Sequence, residues 1–284
     1  MSPDTSGEMQ ISEAQLRAMT ADMVEMHHAT FPRMYAALTD VGASLRRQLR
    51  PRRVPNLGAA DPARRRLLFT GSGLVAGSLL LAACGDDDEA SQPAATPGGT
   101  GTGQTPAASE MSDADASMLK LNASLENLAV FAYGAALEAA PKGQFGKTFP
   151  DAVAEFAKHA MEQHADHATA FNAALTGAGQ QAYTDPDPAL ADTVKSMFAK
   201  LDSVTGLATL ALTLENTAGA TYVKQMGELA SPEALSAVAT IAPVERQHAA
   251  ILTYVLGDYP IPDTFVKFGE TKTSLGARPS SDIA

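Results

Sequence analysis

With a single cysteine, Cys84, the chain forms no intramolecular disulfide and supports neither a thiolate metal cluster nor a CxxC redox pair. Basic residues are scarce in its second part: positions 1–83 carry 10 Lys+Arg against 7 Asp+Glu, while 84–284 carry 11 against 25, for a net charge of -11 overall. That shortage denies the second part a phosphate-binding face, so no nucleic-acid partner is expected there. Period-two alternation of apolar residues is also missing beyond residue 112, which excludes a sheet. What is present is a basic N-terminal piece followed by an acidic one with helical patterning.

Positions 1–62 have the weakest pattern. Leu16, Met19, Met23 and Met26 fall at alternating steps of three and four, predicting a short amphipathic helix that runs to about Thr30 and stops before Pro32. His27 and His28 beside Glu25 do not form a ligand cluster, because neighbours on a helix point about 100° apart and no further ligand type follows. Two readings of this extension stay open: a cytoplasmic segment, or a start codon placed too far upstream.

Residues 63–84 are more definite. Arg64, Arg65 and Arg66 precede Leu67-Leu68-Phe69 and an apolar run ending Leu81-Ala82-Ala83-Cys84. Basic residues ahead of an apolar core of about 15 residues, short for a spanning helix, read as an export signal. Leu-Ala-Ala-Cys resembles the lipobox of bacterial lipoproteins, in which the Cys is lipidated and begins the mature protein. The paired arginines resemble a twin-arginine signal, with Ala63 where that pattern has Ser or Thr. An uncleaved membrane anchor is the alternative; either way residues 85–284 are expected outside the cytoplasmic membrane and tied to it. Residues 85–112 start Gly-Asp-Asp-Asp-Glu and continue in Ser, Pro, Ala, Gly, Thr and Gln, a composition that buries no core and predicts a disordered tether.

Helical signals return at Ser112, and the spacing predicts helices over about 114–140, 149–176, 189–202 and 204–230, with a last one from Ser231-Pro232 to near Gly257. Residues 259–284 form a tail. Leu125-Glu126-Asn127 with Ala129 and Tyr133 recurs as Leu214-Glu215-Asn216 with Ala218 and Tyr222, at the same offsets. The chain therefore contains a duplicated helical hairpin. In its second helices His164-Ala-Asp-His167 corresponds to Glu245-Arg-Gln-His248, and each i, i+3 pair aims at one point on an apolar face. A long connection between the hairpins fits a four-helix bundle with one crossover, its ligand site on a pseudo-twofold axis.

This set of motifs resembles the ferritin-like superfamily, particularly its exported bacterial members, over about half of the chain. The resemblance implies an all-α fold, a four-helix bundle over 113–258, and a carboxylate-bridged metal centre. Its lone glutamates correspond to Glu126 and Glu215, and its Glu-x-x-His to Glu245 and His248. The first hairpin departs: His164 stands where the pattern has Glu, while His167 keeps the His. Glu162 lies about 160° round the helix from His164 and is not the missing ligand. A diiron(II) centre with only three carboxylates would retain about one positive charge unless hydroxide or another anion bridges the metals, and three imidazoles shift preference toward Zn, Cu, Ni or a single Fe or Mn. Tyr133 and Tyr222, two turns past the glutamates, are either hydrogen-bond partners of the ligands or core aromatics.

The expectation is thus a lipid-anchored envelope protein binding one or two transition-metal ions, with possible oxidase-type chemistry. Its alternative is a metal-free bundle that binds an unidentified partner. A lipid anchor and tether sit poorly with assembly of a closed cage.

Overall fold

Ser112, Ser203 and Ser231 each cap a helix, their hydroxyls accepting hydrogen bonds from the backbone N–H three residues on at 3.0, 3.3 and 3.2 Å. The helices they start are α2 (Asp113–Ala139), α5 (Val204–Gln225) and α6 (Pro232–Val255). With α3 (Asp151–Gly177) these make the four-helix bundle, and α4 (Ala191–Phe198) lies on the crossover from α3 to α5. The structure is a computed structural model that describes residues 9–49, 111–260 and 266–283, with side chains of the first helix described as far as residue 36. Cys84, Arg64, Arg65, Arg66 and residues 85–110 of the tether lie outside the described residues. Among those described there is no strand beyond one isolated Thr271–Ser274 bridge, and no helix is long and apolar enough to cross a membrane.

Helix α2 pairs with α3 and α5 with α6; α2 then faces α5, and α3 faces α6. Leu119, Leu121, Leu128, Phe171, Leu175 and Ile241 fill one end of the core at 0–1% exposure. Fully burying each such side chain contributes about 1.5–3 kcal/mol. The crossover is held across α2, where Asp187 N–H donates to the Ser124 carbonyl at 3.0 Å and Asn127 Nδ2 donates to the Tyr183 carbonyl at 3.3 Å.

The N-terminal helix departs from expectation. α1 spans Glu13–Leu49 and continues through Pro32. Pro32 leaves only the His28 carbonyl without its helical donor, and both residues are exposed, so water satisfies that group and the helix is not ended. α1 docks in the groove between α3 and α6. Leu16 and Met23 are buried at 1% and 0% against residues such as Phe156 and Leu252, Gln10 N–H donates to the Val255 carbonyl at 2.9 Å, and Ala152 N–H donates to Glu13 at 3.3 Å. The opposite face, between α2 and α5, is covered by the C-terminal tail. There the Thr217 and Thr221 hydroxyls accept from the Leu275 and Arg278 backbone N–H groups, both at 2.9 Å.

Candidate metal centre

All four bundle helices bring ionisable side chains to the axis. Glu126 on α2, His164 and His167 on α3, Glu215 on α5, and Glu245 and His248 on α6 are each no more than 1% exposed. The i, i+3 spacing within α3 and α6 puts each pair one turn apart on the inward face. Glu162 is on the outer face, beside His159 at 3.1 Å.

His164 lies at the centre of the group. Its Nδ1 donates to Glu126 Oε2 at 2.7 Å and its Nε2 to Glu215 Oε1 at 3.1 Å, so one ring joins the two lone glutamates. Glu245 Oε2 is 3.8 Å from His164 Nδ1, and Glu245 Oε1 is 2.9 Å from His167 Nδ1. His248 Nδ1 lies 3.3 Å from Glu215 Oε2, and His167 Nδ1 lies 3.5 Å from Glu126 Oε2. The tyrosines hold the carboxylates from across the bundle. Tyr133 O–H donates to Glu215 and Tyr222 O–H donates to Glu126, both at 2.6 Å, so each tyrosine serves the glutamate of the other hairpin.

Burial opposes every charge here, and mutual pairing decides which charges survive. His167 and His164 outweigh the burial of Glu126 and hold its carboxyl down at about 2; His164 and His248 hold Glu215 well below the usual range. In turn the charge of Glu215 and the hydrogen bonds to Glu126 and Glu215 hold His164 well above its ordinary value against its burial, while Glu126 raises His167 to about 9. Burial together with the negative charge of Glu126 pushes Glu245 up to about 8. Burial pushes His248 down, and it pushes both tyrosine hydroxyls well up beside their glutamates. At neutral pH the metal-free cluster therefore has two carboxylates, two imidazolium rings, one protonated carboxyl and one neutral imidazole. It is balanced in charge.

Balance is not full satisfaction. Both Glu245 oxygens and His167 Nδ1 are buried without a hydrogen bond of acceptable geometry among the described residues, although they approach each other to 2.9 Å. Such orphaned donors and acceptors are costly unless another partner takes them up. A divalent ion fits that role. Glu126, His164, His167 and Glu245 form one set of four donor atoms within 4.8 Å of one another, and His164, Glu215, Glu245 and His248 form a second. A void of about 10 Å³ between Glu126, His164 and Glu215 is close to the space of one water-sized sphere. The buried cluster could hold a metal ion.

Three supporting residues escape the sequence reading. Gln163 Oε1 lies 2.7 Å from His248 Nε2, and Gln163 Nε2 donates to the Met23 carbonyl of α1 at 3.5 Å. Its signal was available, since position 163 lies one turn before His167 on the inward stripe. Arg246 Nη1 donates to Asn216 Oδ1 at 2.5 Å, passing over Gly219, where a Cβ would meet Arg246 Cδ at 3.0 Å. His27, set aside above, is 8% exposed; its Nε2 pairs with Asp166 at 3.0 Å, and its ring centroid is 5.8 Å from that of His167. A cavity of about 810 Å³ between α1 and α6, walled by residues such as Phe31 and Val244, reaches His167.

No curated protein and no solved structure matches the chain. The model of the ferritin-like domain family matches residues 114–258, which begin one residue inside α2 and end just beyond α6, so they enclose all six buried ligand-type residues and both tyrosines. That match covers half of the sequence, and the chain belongs to the ferritin-like domain family.

Proposed function

We propose that the bundle core binds one or two transition-metal ions. The observation that carries this reading is the pair of orphaned Glu245 oxygens, buried within reach of imidazoles from α3 and α6. Glu126, Glu215, Glu245, His164, His167 and His248 are the ligands; Tyr133, Tyr222 and Gln163 orient them through their outer atoms. Fe or Mn is implied by the family and Zn by the imidazole-rich set. A redox-active ion held here would supply electrons to dioxygen or peroxide. The chain contributes an apolar shell that keeps bulk water away, and in the full-length chain the cavity between α1 and α6 gives small molecules a way in toward His167. Metal analysis of full-length protein purified without chelators tests the reading. One or two ions per chain are expected, and a Glu245→Gln variant should lose them. A metal-free chain that takes up none of Fe, Mn, Zn or Cu would leave the second reading, a noncatalytic bundle held by its own Glu–His network, which the charge balance of the metal-free cluster favours.

We propose further, on the sequence of residues 63–84, that the protein is exported and lipid-anchored through Cys84. Cleavage ahead of Cys84 would part α1 from the bundle on which it docks, so the reading requires that helix to leave on maturation. Cys84→Ala should release the protein from membranes or block its processing, as read by fractionation and mass. Changing Arg64, Arg65 and Arg66 together to Lys should stop export by a twin-arginine route. Membrane-bound protein that retains residues 13–49 would count against cleavage.

A further inference from the structure

We infer that His164 links two metal ions by donating through both ring nitrogens, as an imidazolate, in the place where the family pattern puts a carboxylate. The inference rests on the metal-binding reading above and goes beyond it in fixing how many ions bind and what joins them.

Three observations lead to it. Of the six ligand-type residues, His164 and Glu245 belong to both donor sets, whereas Glu126 and His167 serve only the first and Glu215 and His248 only the second. Each set consequently has one private carboxylate, one private imidazole and two shared residues. Sharing both gives each ion two nitrogen and two oxygen donors, a complete four-coordinate shell of the kind that Zn prefers.

The second observation is the orientation of the ring. Nδ1 of His164 is directed at Glu126 of the first set and Nε2 at Glu215 of the second. A neutral imidazole has one lone pair and can serve only one of them; loss of the remaining N–H proton to solvent frees the other. Glu245 belongs to both sets as well, and neither of its oxygens is engaged by a well-formed hydrogen bond.

The third is charge. Two divalent ions bring four positive charges into a site whose six side chains are almost fully buried, and Glu126, Glu215 and Glu245 return three negative ones. The imidazolate supplies the fourth. The deficit created by replacing a carboxylate with His164 is thereby cancelled by the same residue, with no need for an added anion. No electron moves in this assembly; the ring, an imidazolium in the metal-free protein, releases both N–H protons to solvent and takes one metal ion at each nitrogen. It also sets specificity, because imidazole suits Cu and Zn better than a carboxylate bridge does.

The test uses the full-length chain, stripped by chelator and loaded with Cu(II) alone. Two Cu per chain are expected by elemental analysis. The low-temperature electron paramagnetic resonance signal should integrate to less than half that of two isolated ions, because the ring couples their spins. One Cu and one Zn added together should restore a full single-Cu signal. In His164→Gln the ring is replaced by a side chain of similar reach that cannot bridge in this way, so bound Cu should fall to one, or the signal of two should reach full intensity. The inference is overturned if wild-type protein binds one Cu, if two Cu give the full uncoupled signal, or if His164→Gln leaves the coupling unchanged. One uncoupled ion would leave the metal-binding function standing; no bound ion would remove both.

Discussion

Without metal, the α2–α3 hairpin brings one carboxylate and two imidazolium rings to the bundle axis, while the α5–α6 hairpin brings one carboxylate, one protonated carboxyl and one neutral ring. The two are repeats in sequence and opposite in charge. One exchange accounts for most of this, His164 on α3 against Glu245 on α6. His164 sits between two ionised glutamates and gains from being charged, whereas Glu245 is kept protonated by its burial and, after that, by the charge of Glu126. Duplication thus supplies the geometry of the site, and a single substitution polarises it. The surroundings follow the same division, since His248 is held by Gln163 while His167 lies beside His27 and Phe31 of α1.

The largest expected effect is the response of the metal-free protein to pH. Glu245 titrates at about 8 when folded against an ordinary 4.5, so the folded state holds an extra proton in that interval and stability falls as pH rises through it. His167, at about 9 against 6.5, acts in the same direction over its own interval. Glu126 acts oppositely at the acid end, where stability is lost as pH falls from 4.5 toward about 2. His248 is shifted downward and therefore also favours the folded state with rising pH, but only below 6.5. Stability without metal should peak between about pH 4.5 and 6.5 and drop by several kcal/mol toward pH 9. Metal-loaded protein should behave in the opposite way over the upper half of that range, because its ligands bind metal only when deprotonated. Thermal melts with and without chelator check this. A metal-free melting temperature that is flat from about pH 5 to 9 would mean that the two hairpins are not polarised.

The next effect separates the hairpins residue by residue. Glu126→Gln removes an ionised partner from two buried imidazolium rings, and breaking a buried pair in this way costs about 3–5 kcal/mol. Glu245→Gln replaces a carboxyl that has to take up a proton to fold at pH 7, so by the same linkage the metal-free protein should be no less stable and should gain up to a few kcal/mol. Both variants should lose metal. Urea unfolding of the metal-free proteins reads the difference, and equal destabilisation by the two substitutions would sink the assignment of charge made here.

Much of this was legible in the sequence, for identifiable reasons. Helix caps at Ser112 and Ser231 act locally, and the repeat places Glu126, Glu215, Tyr133 and Tyr222 at matched offsets, so both survive translation into structure. The i, i+3 pairs told which face of α3 and α6 turns inward. What stayed hidden depends on contacts between distant segments. Pro32 was read as a helix stop because its local penalty is visible, whereas the docking of Leu16 and Met23 on α3 and α6 is not. Gln163 takes its meaning from the Met23 carbonyl and His248 on either side of it, which come from α1 and α6 and are remote from it in the chain. The protonated state of Glu245 could not be read at all, since it depends on how completely the bundle buries that carboxyl and on how close Glu126 comes.

The smallest effect tests the part of the comparison in which the hairpins stay equivalent. Tyr133 and Tyr222 occupy the same offset from their own glutamates, yet each hydroxyl donates to the glutamate of the other hairpin at 2.6 Å. Each Tyr→Phe variant leaves the ring in place and removes one donor from a buried carboxylate, a loss of about 1–3 kcal/mol in the metal-free protein. Near equality of the two is the first expectation, because the crossed bonds have the same length and the two glutamates that accept them are equally buried at 1%. Double-mutant cycles then identify the partner. Tyr133→Phe should be strongly non-additive with Glu215→Gln and close to additive with Glu126→Gln, with the reverse for Tyr222→Phe. Coupling of each tyrosine to the glutamate on its own helix would contradict the crossed arrangement. Crossed coupling would mean that the two hairpins are held in register at the metal centre itself, by a pair of bonds that neither hairpin could make alone.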